Sequence, residues 1–253
     1  MVRDLVVLRQ GRRVLQIAEL TIGRGVTALV GANGSAKTTL LHTVAGLLPA
    51  TGTVSVLGRT PDEARGRIAY VLQSSAVSAH LLVTVEETVA LARAASRGPF
   101  RRLRPTDRAV VRRSMERLDV APLARRQLAE LSAGRRQRVF VAQGLAQDAD
   151  VLLLDEPVAG LDLPSAERIG SVVAEERARG ATVVIATHDL DEAARADHVV
   201  LLAGRVVAAG PPSSVLTADH LRVAYGSSLL DLGDRLVALD DGAHGHHGPS
   251  TPN

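Results

Sequence analysis

A loop of small residues, Gly31-Ala32-Asn33-Gly34-Ser35-Ala36, runs into Lys37-Thr38-Thr39, with the apolar run Val26–Val30 before it and Leu40-Leu41 after it. No other stretch constrains the fold as strongly. Strand, tight loop and helix in that order aim backbone N–H groups and a helix N-terminus at one point, where an anion is held. Lys37 is the only lysine of the chain; the remaining basic residues, 29 of the 30, are arginine. A compact ammonium on a flexible stem reaches along a nucleotide's phosphates from a tight loop, where a broad guanidinium clashes. The lysine kept against the composition is therefore read as a phosphate ligand.

With 253 residues the chain is long enough for one large domain or two closely packed ones. Hydrophobic residues make up 46% of it, yet the aromatic ones are only Tyr70, Phe100, Phe140 and Tyr225, so the core has to be aliphatic. The net charge of +3 comes with arginines interspersed with acids rather than blocked, only a weak argument for nucleic acid, and no nucleic-acid partner is expected. Absence of cysteine excludes disulfides and thiolate metal ligands and fits a reducing compartment. No leader pattern opens the chain, and no apolar run approaches the ~20 residues of a bilayer span. The longest candidate, Val199–Gly210, is interrupted by Arg205. A soluble protein, or one held peripherally by a partner, is expected.

Short strands are expected at Leu5–Leu8, Val14–Ile22 and Val26–Val30, followed by a helix from Lys37 to about Gly46. Thr53–Leu57 and Ile68–Leu72 read as further strands, the second ending at Gln73. From Thr84 to about Gln147 the pattern is helical, broken by the basic loop Arg97–Arg102. Strands return at Val151–Asp155 and Thr182–Ala186, with a helix between them from Pro164 to Arg179. The second of these strands is apolar throughout, as suits a central parallel strand covered on both faces. Val199–Ala209 reads as a hairpin turning at Gly204. The chain is thus an α/β core with a helical insertion. Asp241–Asn253, rich in Gly, His and Pro, reads as a disordered tail.

Three further elements carry chemistry. Val151–Asp155 with Glu156 presents two carboxylates at the end of a buried strand, the edge where α/β sheets bind ligands. Asp155 suits Mg²⁺ alongside the Thr38 hydroxyl, and Glu156 suits orienting or deprotonating an attacking water. His188, just past Thr182–Ala186, is placed to meet a γ-phosphate. Ser132, Ala133 and Gly134 open an amphipathic helix and leave backbone N–H groups bare, a second anion site. Each element has a plain alternative: a turn, a surface acid pair, a polar strand cap, an N-cap.

With all four in chain order, the sequence resembles the ATP-binding subunit of ABC transporters over about residues 2–217. Gly31–Thr39 resembles the Walker A loop, Gln73 the Q-loop glutamine and Leu131–Arg135 the signature. Val151–Asp155 with Glu156 resembles Walker B and its catalytic glutamate, Gly160-Leu161-Asp162 the D-loop and His188 the switch histidine. The resemblance implies a P-loop NTPase cassette with an antiparallel β subdomain and an inserted helical subdomain at about 75–147, a C-terminal extension at 218–240 and the tail at 241–253. It implies ATP as ligand, Mg²⁺ held by Thr38, Gln73 and Asp155, and catalysis by Glu156, His188 and Gln73. It also implies a closed head-to-tail homodimer, an integral-membrane permease, an extracytoplasmic solute-binding protein and a cytoplasmic place on the inner face of the membrane.

Four positions depart from the family's pattern. Ala36 stands where glycine normally precedes the lysine, and Ala133 and Arg135 stand in a signature that normally reads Leu-Ser-Gly-Gly-Gln. No aromatic precedes Tyr70 to stack on adenine, which leaves Arg9 or a neighbour to stack through its guanidinium plane. Gln73–Val77, the Gly98–Leu103 insertion and His244, His246 and His247 resemble subunits of zinc or manganese importers. The histidines fit loose metal binding or a solvated tail without a role. Three readings stay open: a metal-importing transport ATPase, a soluble ABC ATPase acting on ribosomes or DNA, and a weakly hydrolysing regulatory subunit.

Overall fold

A computed structural model describes residues 1–72, 82–97, 102–226, 229–231 and 236–238. The chain opens with β1 (Val2–Arg9), β2 (Arg12–Leu20) and β3 (Gly25–Val30), then α1 (Lys37–Val44), β4 (Thr51–Val54), α2 (Pro61–Ala64) and β5 (Ile68–Val71). Three helices follow, α3 (Val85–Arg97), α4 (Pro105–Arg117) and α5 (Ala133–Ala146). Strands and helices then alternate: β6 (Val151–Asp155), α6 (Leu163–Ala178), β7 (Thr182–Thr187), α7 (Leu190–Ala194) and β8 (His198–Leu202). The last elements are β9 (Val206–Gly210), α8 (Pro212–Val215), α9 (Ala218–Tyr225), β10 (Leu229–Asp231) and β11 (Leu236–Ala238).

A six-stranded sheet in the order β5-β6-β7-β3-β8-β9 carries the molecule, parallel except for β9. Its central strands are apolar runs because both faces are covered. Alternation sorts them cleanly. Leu29, Val151, Leu153, Val184, Ala186, Val200 and Leu202 face α1 and the antiparallel sheet β2-β1-β4. Leu152, Leu154, Val183 and Ile185 face the opposite way, into a core shared with α3, α4, α5 and α6. On that same side Val30, Val199 and Leu201 pack with Leu221, Ala224 and Tyr225 of α9. As the composition requires, the largest fully buried side chains are all leucine or isoleucine.

The antiparallel sheet is tied to the main one where Gln16 N–H donates to the Gly204 carbonyl at 2.8 Å, at the turn of the β8–β9 hairpin. One strand is shorter than expected: β4 ends at Val54, not Leu57. Val56 and Arg59 exchange backbone hydrogen bonds of 2.8 and 3.0 Å around Leu57 and Gly58, both at positive φ. That backbone is the mirror-image turn of tight hairpins, which a strand cannot run through. Among the described residues no helix is long and apolar enough to cross a membrane.

Candidate active site

Strand register builds the site. Val30 pairs with Thr187, Ala186 with Asp155 and Leu154 with Val71, so the four strands end in one row at their carboxyl edge. Gly31, His188, Glu156 and Leu72 are the next residues on each strand, and this is the edge where α/β sheets place ligands.

The loop at Gly31–Ala36 is held in a strained, closed form. A Cβ on Gly31 would strike the Leu202 carbonyl and lie 2.6 Å from Ser35 Oγ, so only glycine fits there. Ser35 donates its N–H to Ala32 O at 3.0 Å and accepts from Gly204 N at 3.1 Å, which ties the loop to the hairpin turn. Ala36 precedes α1 at φ 77°, in the left-handed region where a methyl group is unfavourable, and no side chain caps the helix. The first-turn N–H groups of α1 therefore have no intrahelical acceptor. Lys37, only 6% exposed, folds back to donate to the carbonyls of Gly31 at 2.6 Å and Ala32 at 3.3 Å. Ser35 Oγ is buried without a hydrogen-bond partner. An uncapped helix start, a buried orphan hydroxyl and a buried ammonium are what a polyphosphate would satisfy.

Asp155 continues the alternation of Val151 and Leu153 and so faces α1, the helix that carries Lys37 and the exposed Thr38. It is nearly buried, and its Oδ2 accepts a 3.0 Å hydrogen bond from the Tyr70 hydroxyl. Burial first, then the neighbouring Asp155 charge, raises the Tyr70 hydroxyl far above its ordinary value. His42, on α1, meets the Tyr70 ring edge-on at 5.3 Å. Burial lowers the His42 value, Asp155 raises it and Arg9 lowers it, which places the exposed Arg9 within electrostatic reach of α1. A buried carboxylate facing the helix whose first turn carries the Thr38 hydroxyl offers oxygen donors of the kind magnesium takes.

Glu156 turns off β6 at φ 48°, a left-handed conformation held by its N–H donating to Ala186 O at 2.9 Å. Its carboxylate thereby reaches His188, whose Nδ1 lies 3.6 Å from Oε1. His188 sits between β7 and the cap of α7, where Asp189 N–H donates to Thr187 Oγ1 and the Asp189 carboxylate accepts from Asp191 and Glu192.

The signature segment lies elsewhere. Ser132 caps α5, accepting from Arg135 N at 3.4 Å, and exposes its neighbour Ala133. A Cβ on Gly134 would strike Asp162 and lie 2.5 Å from Ser165 Oγ, so this glycine brings the start of α5 against the start of α6. Gln137 Nε2 reaches Leu72 O at 3.4 Å, just before Gln73. Gln73 itself, residues 98–101 of the basic insertion and the histidine tail lie outside the described residues. Sequence reasoning passed over Tyr70, yet its pairing with Leu153 puts it on the α1 face beside Asp155.

Fold and site define a P-loop nucleotide-binding protein. Residues 15–159 match the model of the ABC transporter family. The zinc transport system ATP-binding protein TroB of Treponema pallidum (strain Nichols) is 37% identical over 250 residues, covering 96% of this chain and 94% of its own. The manganese transport system ATP-binding protein MntB of Bacillus subtilis (strain 168) is 34% identical over 228 residues, 89% of this chain and 91% of its own. A solved ATP-binding subunit of an ABC transporter superposes with a TM-score of 0.75 at 26% identity, over 88% of this chain and 97% of that one. The chain belongs to the ABC transporter family. It is an ATP-binding subunit whose ATPase activity is coupled to transport.

Proposed function

We propose that this subunit powers the import of a divalent transition metal ion, zinc or manganese, by hydrolysing MgATP at the sheet edge. The observation that carries the chemistry is the alignment of the Lys37 loop, Asp155, Glu156 and His188 on three neighbouring strand ends. Gly31–Thr39 cradles the phosphates, with Lys37 leaving the loop carbonyls for the β- and γ-phosphates. Thr38, Gln73 and Asp155 hold magnesium, which when bound neutralises charge building on the transferred phosphoryl group. Glu156 accepts a proton from the attacking water, and His188 donates to the γ-phosphate. Arg9 stacks on the base.

Ser132, Ala133 and Gly134 open their helix against α6, and α5 packs on α3, α4, β5 and α6. The segment serves the site of a second copy in a head-to-tail closed dimer, whose closing drives a permease fed by an extracytoplasmic solute-binding protein. The subunit works on the cytoplasmic face. The metal cargo rests on the zinc and manganese systems of the relatives, which also favour transport over work on ribosomes or DNA. Reconstitution with its permease in liposomes tests the whole reading: ATP inside should drive uptake of radioactive zinc or manganese, and Glu156→Gln should abolish it. Uptake that persists in that variant refutes the assigned chemistry; ATPase activity unresponsive to either metal refutes the cargo.

A further inference from the structure

We propose that Tyr70 is the positioning residue of the Asp155 carboxylate, and that His42 is the stop that holds Tyr70 in place; this rests on the reading of Asp155 as a magnesium ligand. A buried aspartate has two oxygens and two side-chain torsions, so the direction in which it offers its lone pairs is open until a donor fixes one oxygen. The Tyr70 hydroxyl does so, donating to Oδ2 at 3.0 Å. Oδ1 is thereby left for the metal.

The tyrosine is itself fixed from two sides. Its backbone is registered against Leu153 of β6, the strand that carries Asp155, so ring and carboxylate share one face two residues apart. Its ring centroid lies 5.3 Å from that of His42 with an interplanar angle of 85°, a favourable T-shaped contact. His42 belongs to α1, the helix that begins at Lys37. The chain His42–Tyr70–Asp155 therefore couples the helix that binds phosphate to the orientation of the carboxylate that binds magnesium. Mg²⁺ demands near-octahedral geometry at short range, whereas Ca²⁺ accepts longer bonds and irregular shells. A carboxylate that has lost its aim should penalise Mg²⁺ more than Ca²⁺.

The test is binding, not turnover: a fluorescent non-hydrolysable ATP analogue is titrated onto the full chain, with Mg²⁺ or Ca²⁺ varied. In Tyr70→Phe, which keeps the ring and its contact with His42, the Mg²⁺ midpoint should rise about tenfold, the usual effect of losing a ligand's hydrogen-bond partner. The Ca²⁺ midpoint should rise much less, and affinity for the metal-free analogue should not change. His42→Ala should shift the Mg²⁺ midpoint the same way by a smaller factor. Equal Mg²⁺ midpoints in wild type and both variants would overturn the proposal, as would equal shifts for the two ions. Wild-type binding that ignores Mg²⁺ altogether would overturn the metal site as well.

Discussion

The Nδ1 atom of His188 stands 3.6 Å from Oε1 of Glu156, although the two residues leave different strands. Two backbone features create the meeting. Asp155 pairs with Ala186, so β6 and β7 end in step, and Glu156 adopts a φ of 48° that swings its side chain along the sheet edge. A left-handed glutamate costs stability and persists only where its surroundings impose it. Such strain at a strand end supports the proposal that the pair is chemical rather than structural.

If both residues act on one water and one phosphate, each removal should be severe and the second should add little. Glu156→Gln and His188→Ala are each expected to lower phosphate release by about 10²–10³-fold while ATP binding survives. Phosphate release by the double variant should fall well short of the product of the single effects. A fully multiplicative loss would show that the two side chains work independently.

Ala36 and Ala133 look alike in the sequence, as methyl groups standing where the family has glycine, but the structure separates them. Ala36 is left-handed at φ 77°, whereas Ala133 is an exposed residue of the first turn of α5. Ala36→Gly removes about 1 kcal/mol of backbone strain, part of which the greater freedom of the unfolded chain takes back. The melting temperature should rise by about 1–3 °C. Ala133→Gly should lower it by a similar amount, because glycine weakens a helix without relieving anything. Differential scanning calorimetry of the two single variants reads the opposite signs, and a turnover gain is expected from Ala36→Gly alone.

Much of this was legible in the chain. The aliphatic runs at Val26–Val30, Val151–Asp155 and Thr182–Ala186 gave central parallel strands, because residues covered on both faces have no polar positions to alternate. The lone lysine gave the loop. Two facts needed coordinates. Tyr70 and Asp155 lie 85 positions apart, and their hydrogen bond follows from the pairing of Tyr70 with Leu153, which strand propensity does not encode. The end of β4 was misjudged because Leu57 carries a strand-compatible side chain on a φ of 53°, a backbone choice imposed by the turn it closes.

Glu192 offers a pH-dependent test beside the same edge. Burial raises its carboxyl above the usual range, helped by Asp189 and opposed by a hydrogen bond with Thr187 and by the nearby His188 and Arg195. With the folded value raised, the folded protein keeps a proton that the unfolded chain releases. The stability this contributes is complete below the ordinary carboxylate value and is lost as pH rises through the folded one. Glu192→Gln cannot lose that proton. Its melting temperature should match wild type near about pH 4 and exceed it by a margin that grows as pH rises through the folded value, in the direction linkage requires. A gap that stays constant or closes with rising pH would contradict the burial argument.

The last prediction concerns what joins the helical segment to the nucleotide-binding core. Arg117, at the end of α4, bonds Glu176 at 2.6 Å and Glu175 at 2.7 Å, both on α6. The Glu176 side chain is only 7% exposed and has, among the described residues, one further cation, Arg179 at 3.0 Å. Truncating the arginine leaves a buried carboxylate with half its partners, so Arg117→Ala should cost about 2–3 kcal/mol, somewhat below a fully buried pair because Arg179 remains. For a chain of this length that lowers the melting temperature by about 4–10 °C. Removing both charges should cost less than removing one, since no desolvated acid is stranded. The double variant Arg117→Met, Glu176→Leu is therefore expected to melt above Arg117→Ala. If it melts below, the bridge stabilises the α4–α6 contact by attraction that exceeds its desolvation cost, and apolar packing cannot replace it.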